Sequence, residues 1–209
     1  MKINYQKILD ETINNLNGKK PSLLLHACCA PCSSYVLEYL CNYFDITLYF
    51  YNPNIYPHSE FSFRAVELKR LVEEMKLDVK IVVEEYENDK FEEIAKPYSD
   101  MPEGFTRCFN CYKLRLEKSV KYAKENNFDY ITTTLSISPH KNAAKLNEIG
   151  GQLAEEYGVE YLYSDFKKKN GYKRSCELSE QYNLYRQNYC GCVYSKMCNE
   201  KKNEEMQNK

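Results

Sequence analysis

Cysteines are the residues of this 209-residue sequence whose spacing points most directly to chemistry, and there are ten of them. Seven fall into three tight groups: Cys28/Cys29/Cys32, Cys108/Cys111 and Cys190/Cys192. In a reducing cytosol, clustered cysteines bind metal or carry out redox chemistry more often than they form structural disulfides. The other three are interpreted as small buried apolar side chains, and they are Cys41, Cys176 and Cys198.

Two of the groups lie where helical periodicity begins. An apolar run over residues 22–27 leads into Cys28 and Cys29, and Cys108-Phe-Asn-Cys111 opens another helical segment. Free backbone N–H groups and the helix dipole stabilise thiolates, or an anionic cluster, at such positions. Four thiolates suit tetrahedral zinc or an iron–sulfur cluster. A directly adjacent pair favours a [4Fe-4S] cube, in which each thiolate binds a different iron, with zinc and a metal-free thiol site as alternatives.

Cys190 and Cys192 are separated by a single glycine and form a different kind of group. A disulfide across one residue closes a small strained ring, which makes the bond easy to reduce. Such a pair exchanges two electrons or, when reduced, binds a metal, and Gly191 allows the unusual backbone dihedrals that either role requires. Cys29 and Cys32 have the spacing of thioredoxin-type pairs. Cys32 is therefore a spare thiol, a ligand of a second metal ion or part of the cluster.

Strand-like and helical segments alternate along the chain. The strand-like segments are 22–27, 45–53, 78–86, 129–138 and 159–166. The helical segments are 33–42, a long one from residue 59, 88–96, one from residue 108, 141–157 and 175–186. This alternation predicts an α/β fold, a single doubly wound, Rossmann-like parallel sheet of about five strands with helices on both faces. We expect one domain over residues 1–209, with a polar tail from about residue 199.

The predicted sheet also predicts where the chemistry occurs. In doubly wound sheets, ligands bind beyond the carboxyl ends of the strands. Cys28 and Cys29 follow the first predicted strand, and residues 136–140 end the fourth. We therefore expect an active site at this edge. His26 precedes it and is interpreted as a hydrogen-bonded core histidine.

Composition excludes several classes of protein. The 29 Lys and Arg residues nearly balance the 30 Asp and Glu residues, which excludes a strongly basic nucleic-acid coat. The polar N-terminus lacks the core of a signal peptide, and no apolar stretch approaches the ~20 residues that span a bilayer. We expect a cytoplasmic protein that does not enter a membrane. Basic residues and tyrosines gather over 165–186, where they suit either a solvated loop or contact with an RNA backbone and unpaired bases.

Five motifs follow one another along the chain. They are HACCAPCS at 26–33, RCFNCY at 107–112, TTTLSISPHK at 132–141, GYKRS at 171–175 and YRQNYCGC at 185–192. In this order they resemble the QueH family of epoxyqueuosine reductases, and the likeness extends from about residue 20 to residue 198. The resemblance implies the fold of the adenine-nucleotide alpha-hydrolases (HUP) without nucleotide use. A phosphate-binding glycine loop would occupy 28–33, which contains no glycine here.

The resemblance also implies an activity and its residues. The reaction is the last step of queuosine biosynthesis, in which the epoxide of epoxyqueuosine, at the wobble position of a tRNA anticodon, is reduced with loss of oxygen as water. The implied cofactor is a [4Fe-4S] cluster with a second, mononuclear iron nearby. The ligands carried over are Cys28, Cys29, Cys108 and Cys111, and the redox-active catalytic pair is Cys190 and Cys192. The partner is the epoxyqueuosine-containing tRNA, the electron donor is unidentified, and nothing in the sequence indicates more than a monomer.

Two other functions compete with this interpretation. One is a zinc-stabilised nucleic-acid-binding module without catalysis, in which Cys190 would be dispensable. The other is a metal-free thiol–disulfide oxidoreductase that uses Cys29 and Cys32 and does not depend on Cys108.

Overall fold

Parallel strands form the centre of the molecule, in a five-stranded sheet with the order β3-β2-β1-β4-β5. The structure is a computed structural model and describes residues 3–207. The strands are β1 Ser22–His26, β2 Asp45–Phe50, β3 Lys80–Val83, β4 Tyr130–Thr133 and β5 Glu160–Tyr161. The segments predicted as 129–138 and 159–166 are too long, because their C-terminal parts leave the sheet; a 3₁₀ helix, Thr134–Ile137, follows β4 directly.

Eight α-helices surround the sheet in the described part of the chain. They are α1 Tyr5–Asn15, α2 Ala30–Leu40, α3 His58–Glu74, α4 Asn88–Ala95, α5 Thr106–Glu125, α6 Ala143–Tyr157, α7 Gly171–Gln181 and α8 Val193–Gln207. The first and last of these were not among the predicted segments. The bounds predicted for the last helix, 175–186, are wrong at both ends, since α7 begins at Gly171 and ends at Gln181.

The central strand shows why helices cover both faces. Side chains alternate along a strand, so Leu23 and Leu25 point to one face and Leu24 to the other. Leu23 and Leu25 belong to a core formed with α2 and α3, whereas Leu24 packs with α5 and α6. All three leucines are fully buried. The predicted doubly wound sheet is confirmed.

The topology creates a crevice between β1 and β4. From β1 the chain builds the sheet outward through β2 and β3, then returns to place β4 on the other side of β1. His26, the last residue of β1, is in register with Thr133 of β4. The segments after these two residues therefore separate at the carboxyl edge, where doubly wound sheets bind ligands.

Two further predictions concern the whole chain. Among the described residues, no helix combines the length and the apolar character that crossing a membrane requires. The polar stretch after Cys198 continues α8 as far as Gln207. A single domain over residues 1–209 with a polar tail stays a prediction.

Candidate active site

Three thiols lie at the junction of β1 and α2. Cys29 is the N-cap residue of α2, and Pro31 lies in the first turn, where its missing N–H costs no helical hydrogen bond. The Sγ atoms of Cys28, Cys29 and Cys32 all lie within 4.8 Å of one another, and those of Cys28 and Cys29 are 3.6 Å apart. The backbone N–H of Cys28 donates to Oγ1 of Thr134, just after β4, at 3.4 Å. The group therefore lies in the crevice, as predicted.

Cys29 is the thiol of this group whose pKa is lowered. Hydrogen bonds from the thiols of Cys28 and Cys32 hold the pKa of Cys29 well below its usual value, and the same hydrogen bonds raise the pKa of the two donors. Nε2 of Gln187 also donates to Sγ of Cys29, at 3.2 Å. A thiolate held by donors at a helix N-terminus is a reactive nucleophile or a metal ligand.

A second pair of thiols lies in the first turns of α5. Cys108 and Cys111 are both buried, and burial raises the pKa of Cys108 and raises the pKa of Cys111 to about 11. The backbone N–H of Gly104 donates to Sγ of Cys108 at 3.2 Å. This pair therefore occupies the helix start that the sequence predicted for it.

Cys190 and Cys192 lie beside this second pair, and all four cysteines line one small cavity. Both are free thiols, and Gly191 between them has a φ of +125°, a conformation that favours glycine. Nζ of Lys141 donates to Sγ of Cys190 at 2.8 Å. Burial raises the pKa of Cys192. The two thiols of the pair therefore have different electrostatic environments.

A larger cavity of about 420 Å³ adjoins the small one. Arg115, Lys141 and Cys190 line both cavities, whereas Cys28 and Cys32 line the larger one. The volume falls in the range of small-molecule sites, which is roughly 300–1,000 Å³. Its other side chains include several cations and aromatic rings: Arg64, Arg186, His140, Tyr172 and Tyr189. Thiol groups that are far apart in sequence thus face adjoining spaces.

Sequence reasoning missed several cations of the site, among them Lys141 and Arg115. Lys141 lay in a matching motif but had no assigned role, and nothing in its local sequence pairs it with Cys190. Arg115 carried a usable signal, since it follows Cys108 and Cys111 by seven and four residues and so shares their helix face. Its side chain is only 2% exposed.

Cys41, Cys176 and His26 line neither cavity, whereas Cys198 lines the larger one. Cys41 and Cys176 are half-buried, and Cys198 is exposed and lines the larger cavity, so its predicted burial is wrong. It lies on α8, a helix that the sequence analysis did not predict. His26 is buried and contacts Oγ1 of Thr133 and the carbonyl oxygen of Tyr51. Burial, with a contribution from Arg115, lowers the pKa of His26 to about 3, so it is a neutral core histidine.

The sequence is similar to those of a known protein family. The sequence model of the family described as "Epoxyqueuosine reductase QueH" matches residues 23–198. A relative of that name from Staphylococcus epidermidis is 45% identical over 204 residues, which cover 94% of this chain and 86% of the relative. Another from Thermotoga maritima is 34% identical over 191 residues, covering 90% of this chain and 97% of the relative.

A solved structure shares the fold at low identity. It is the U34-tRNA thiolase NcsA from Methanococcus maripaludis with its [4Fe-4S] cluster, 14% identical, with a TM-score of 0.52 over 91% of this chain and 67% of that one. The family match covers most of the chain, and the relatives are named as reductases. The chain therefore belongs to the epoxyqueuosine reductase QueH family and is an oxidoreductase.

Proposed function

We propose that this protein reduces the epoxide of epoxyqueuosine at the wobble position of a tRNA anticodon, giving queuosine. Its cofactor is a [4Fe-4S] cluster held by Cys28, Cys29, Cys108 and Cys111. One observation carries the proposal: Cys28, after β1, and the pair on α5 line adjoining cavities that share Arg115 and Cys190. The names of the family and of its relatives support the substrate and the reaction.

The residues around these sulfurs fit an anionic cluster. Hydrogen-bond donors point at the sulfurs of Cys28, Cys29 and Cys108, as donors do around iron–sulfur clusters. The buried guanidinium of Arg115 lines both cavities. When bound, such a cluster supplies electrons one at a time at low potential. The related fold of NcsA, a protein solved with a [4Fe-4S] cluster, adds support.

Cys32 is a further thiol beside the four proposed ligands. Its Sγ atom and those of Cys28 and Cys29 all lie within 4.8 Å of one another. A second, mononuclear iron here is implied by the resemblance alone and stays a prediction.

The pair Cys190/Cys192 supplies the two electrons and two protons that the reaction consumes. Removal of the epoxide oxygen as water consumes two electrons and two protons, and oxidation of a dithiol to a disulfide releases the same numbers. Cys190 lines both cavities, so we assign it the side nearer the substrate, with Cys192 as its partner. A separate electron donor, not yet identified, must then reduce the disulfide.

The larger cavity suits a base extruded from a single-stranded anticodon loop. At its edge, Tyr172 is 37% exposed and the Arg186 guanidinium lies 5.9 Å from its ring centre. Half of the six basic residues in the stretch predicted as an RNA contact are neutralised, because Lys167, Lys169 and Arg174 each have a carboxylate within 3.0 Å. Lys168 and Lys173 do not line the cavity. Among the described residues, Arg186 has no such partner, so we propose that Tyr172 and Arg186 contact the tRNA.

The test starts from anaerobically purified protein. We expect about four irons and matching sulfide per chain. With tRNA carrying epoxyqueuosine and a chemical reductant, nucleoside mass spectrometry should show loss of one oxygen atom. Zinc in place of iron would contradict the proposed cofactor, and turnover by iron-free protein would favour the thiol–disulfide alternative. Since the family consists of oxidoreductases, the non-catalytic module has no support.

A further inference from the structure

Arg115 is a buried charge that has no carboxylate partner in the described part of the chain. Its side chain is 2% exposed, Nη2 donates to Oδ1 of Asn52, and Nε has no hydrogen-bond partner. Among the residues that the structure describes, no carboxylate lies within ion-pairing distance of it. Burying an unpaired guanidinium is strongly unfavourable, and buried charges in proteins are normally paired or bind ligands.

Two other buried cations of the site have carboxylate partners. Nε of Arg64 lies 2.7 Å from a carboxylate oxygen of Glu60, and Nζ of Lys141 lies 3.2 Å from Glu103. Arg107, which lines the small cavity, also has no carboxylate among the described residues, but its Nη1 donates to the carbonyl oxygens of Tyr98, Ser99 and Met101. In the described part of the chain, the Arg115 side chain has a single neutral acceptor, Asn52. Its environment indicates that something negatively charged belongs beside it.

The position of Arg115 shows what that anion would touch. Cys108, Cys111 and Arg115 share one face of α5, and the two cysteines lie in the turns just before the arginine. Asn52, which accepts the hydrogen bond from Arg115, donates to the carbonyl oxygen of Ala27 at 2.9 Å. Ala27 directly precedes Cys28. Arg115 is thus connected to both thiol pairs that we propose as ligands.

An iron–sulfur cube with four thiolate ligands is negatively charged, and reduction adds one more negative charge. A cation at fixed distance in a low-dielectric site therefore stabilises the reduced form more than the oxidised form. We infer that Arg115 balances the charge of the cluster and raises its reduction potential. The inference rests on the cluster proposed above, and it assigns Arg115 as a positioning and tuning residue rather than a ligand.

The test compares two substitutions in anaerobically reconstituted protein. Arg115→Met removes the charge at similar length, whereas Arg115→Lys keeps it. The potential is measured by redox titration with electron paramagnetic resonance detection. We expect a shift to more negative potential in R115M and a much smaller shift in R115K. Arg174→Met, which removes a cation paired with Glu38 at the surface, serves as the control and should leave the potential unchanged.

Thermal unfolding of the iron-free proteins separates this role from a structural one. Because the unpaired charge is unfavourable without the cluster, iron-free R115M should unfold at a temperature no lower than wild type. A lower unfolding temperature in both variants would indicate a structural role and overturn the inference. Loss of iron in R115M together with its retention in R115K would support the inference.

The remaining outcomes distinguish this inference from the proposed function. A cluster that binds to R115M with unchanged potential overturns the inference alone. Equal shifts in R115M and R115K would also overturn it, because the charge would then not be the cause. A wild-type protein that binds no iron overturns the proposed cofactor and the inference with it.

Discussion

Nζ of Lys141 lies 2.8 Å from Sγ of Cys190, although 49 residues separate them. The Lys141 side chain is only 8% exposed, and its other partner is Glu103 at 3.2 Å. Cys192 instead accepts a hydrogen bond from the backbone N–H of Ser195 at 3.4 Å. Positive charge is therefore placed beside one thiol of the pair, the one that also lines the larger cavity.

This contact predicts unequal reactivity of the two thiols. Cationic groups near a cysteine favour its thiolate, which is the form that alkylating reagents attack. We expect iodoacetamide to label Cys190 before Cys192, because Cys190 lines the larger cavity whereas Cys192 is buried, and we expect Lys141→Gln to slow labelling of Cys190. Peptide mass spectrometry over a time course measures both rates. Lys141→Arg keeps the charge and should stay near wild type; equal labelling of Cys190 with and without the ammonium would contradict the prediction.

The proposed redox pair predicts loss of turnover without loss of iron. Cys190→Ser should keep the iron content of the wild type, because Cys190 is not among the proposed cluster ligands. Turnover of epoxyqueuosine-containing tRNA should fall by more than about 100-fold. Cys176→Ser, a half-buried cysteine on α7 outside both cavities, is the matched control. Normal turnover by the Cys190 variant would remove the pair from the mechanism.

Substitution of a proposed cluster ligand should cause loss of iron. Cys111→Ala should weaken iron binding by more than about tenfold, because a ligand is lost from the cluster. Cys41→Ala removes a half-buried thiol at the opposite end of α2 from Cys29 and should keep its iron. Iron and sulfide assays on both variants measure the cluster content per chain. Full iron occupancy in the Cys111 variant would require a different set of ligands.

Tyr172 and Arg186 predict a defect in tRNA binding. Loss of one base–aromatic stacking contact costs roughly 1–3 kcal/mol, so Tyr172→Ala should raise KM for the tRNA by about tenfold or more. We expect a similar direction for Arg186→Ala and little change in kcat for either. Lys173→Ala removes an exposed cation next to Tyr172 on the same helix but outside the cavity lining. A fall in kcat at constant KM would show that the two residues act on the chemical step instead.

Substitution by alanine should change the free energy of unfolding by different amounts at two glycines. A Cβ at Gly171 would lie 2.1 Å from the carbonyl oxygen of Phe166, and only a movement of the backbone can relieve this contact. Gly171→Ala should cost about 2 kcal/mol of unfolding free energy and lower Tm by roughly 4–8 °C.

The matched comparison is Gly151→Ala in the middle of α6. Its Cβ would meet the hydroxyl oxygen of Tyr163 at 2.3 Å, which is the far end of a half-buried side chain and can shift. A helix-propensity gain of about 1 kcal/mol offsets that shift. Thermal unfolding by circular dichroism compares the two; equal losses of Tm would contradict the prediction.

The order of strands and helices followed from sequence because hydrophobic periodicity is a local property. The strand ends were less predictable: residues 134–137 have the branched and hydroxyl side chains of a strand, yet they form a 3₁₀ helix at the crevice. The C-terminal helix α8 was missed because its sequence is polar and lacks an apolar stripe.

By itself, the sequence determined the fold class, the three cysteine groups and the family to which they belong. Tertiary structure alone decided that Cys190 faces both cavities, that Lys141 lies against it and that Arg115 has no anionic partner among the residues the structure describes. The physical reason is that spacing along a chain reports which side chains share a helix face or follow a strand. Which loops meet depends on the order of strands in the sheet, and burial of a charge depends on everything that packs around it.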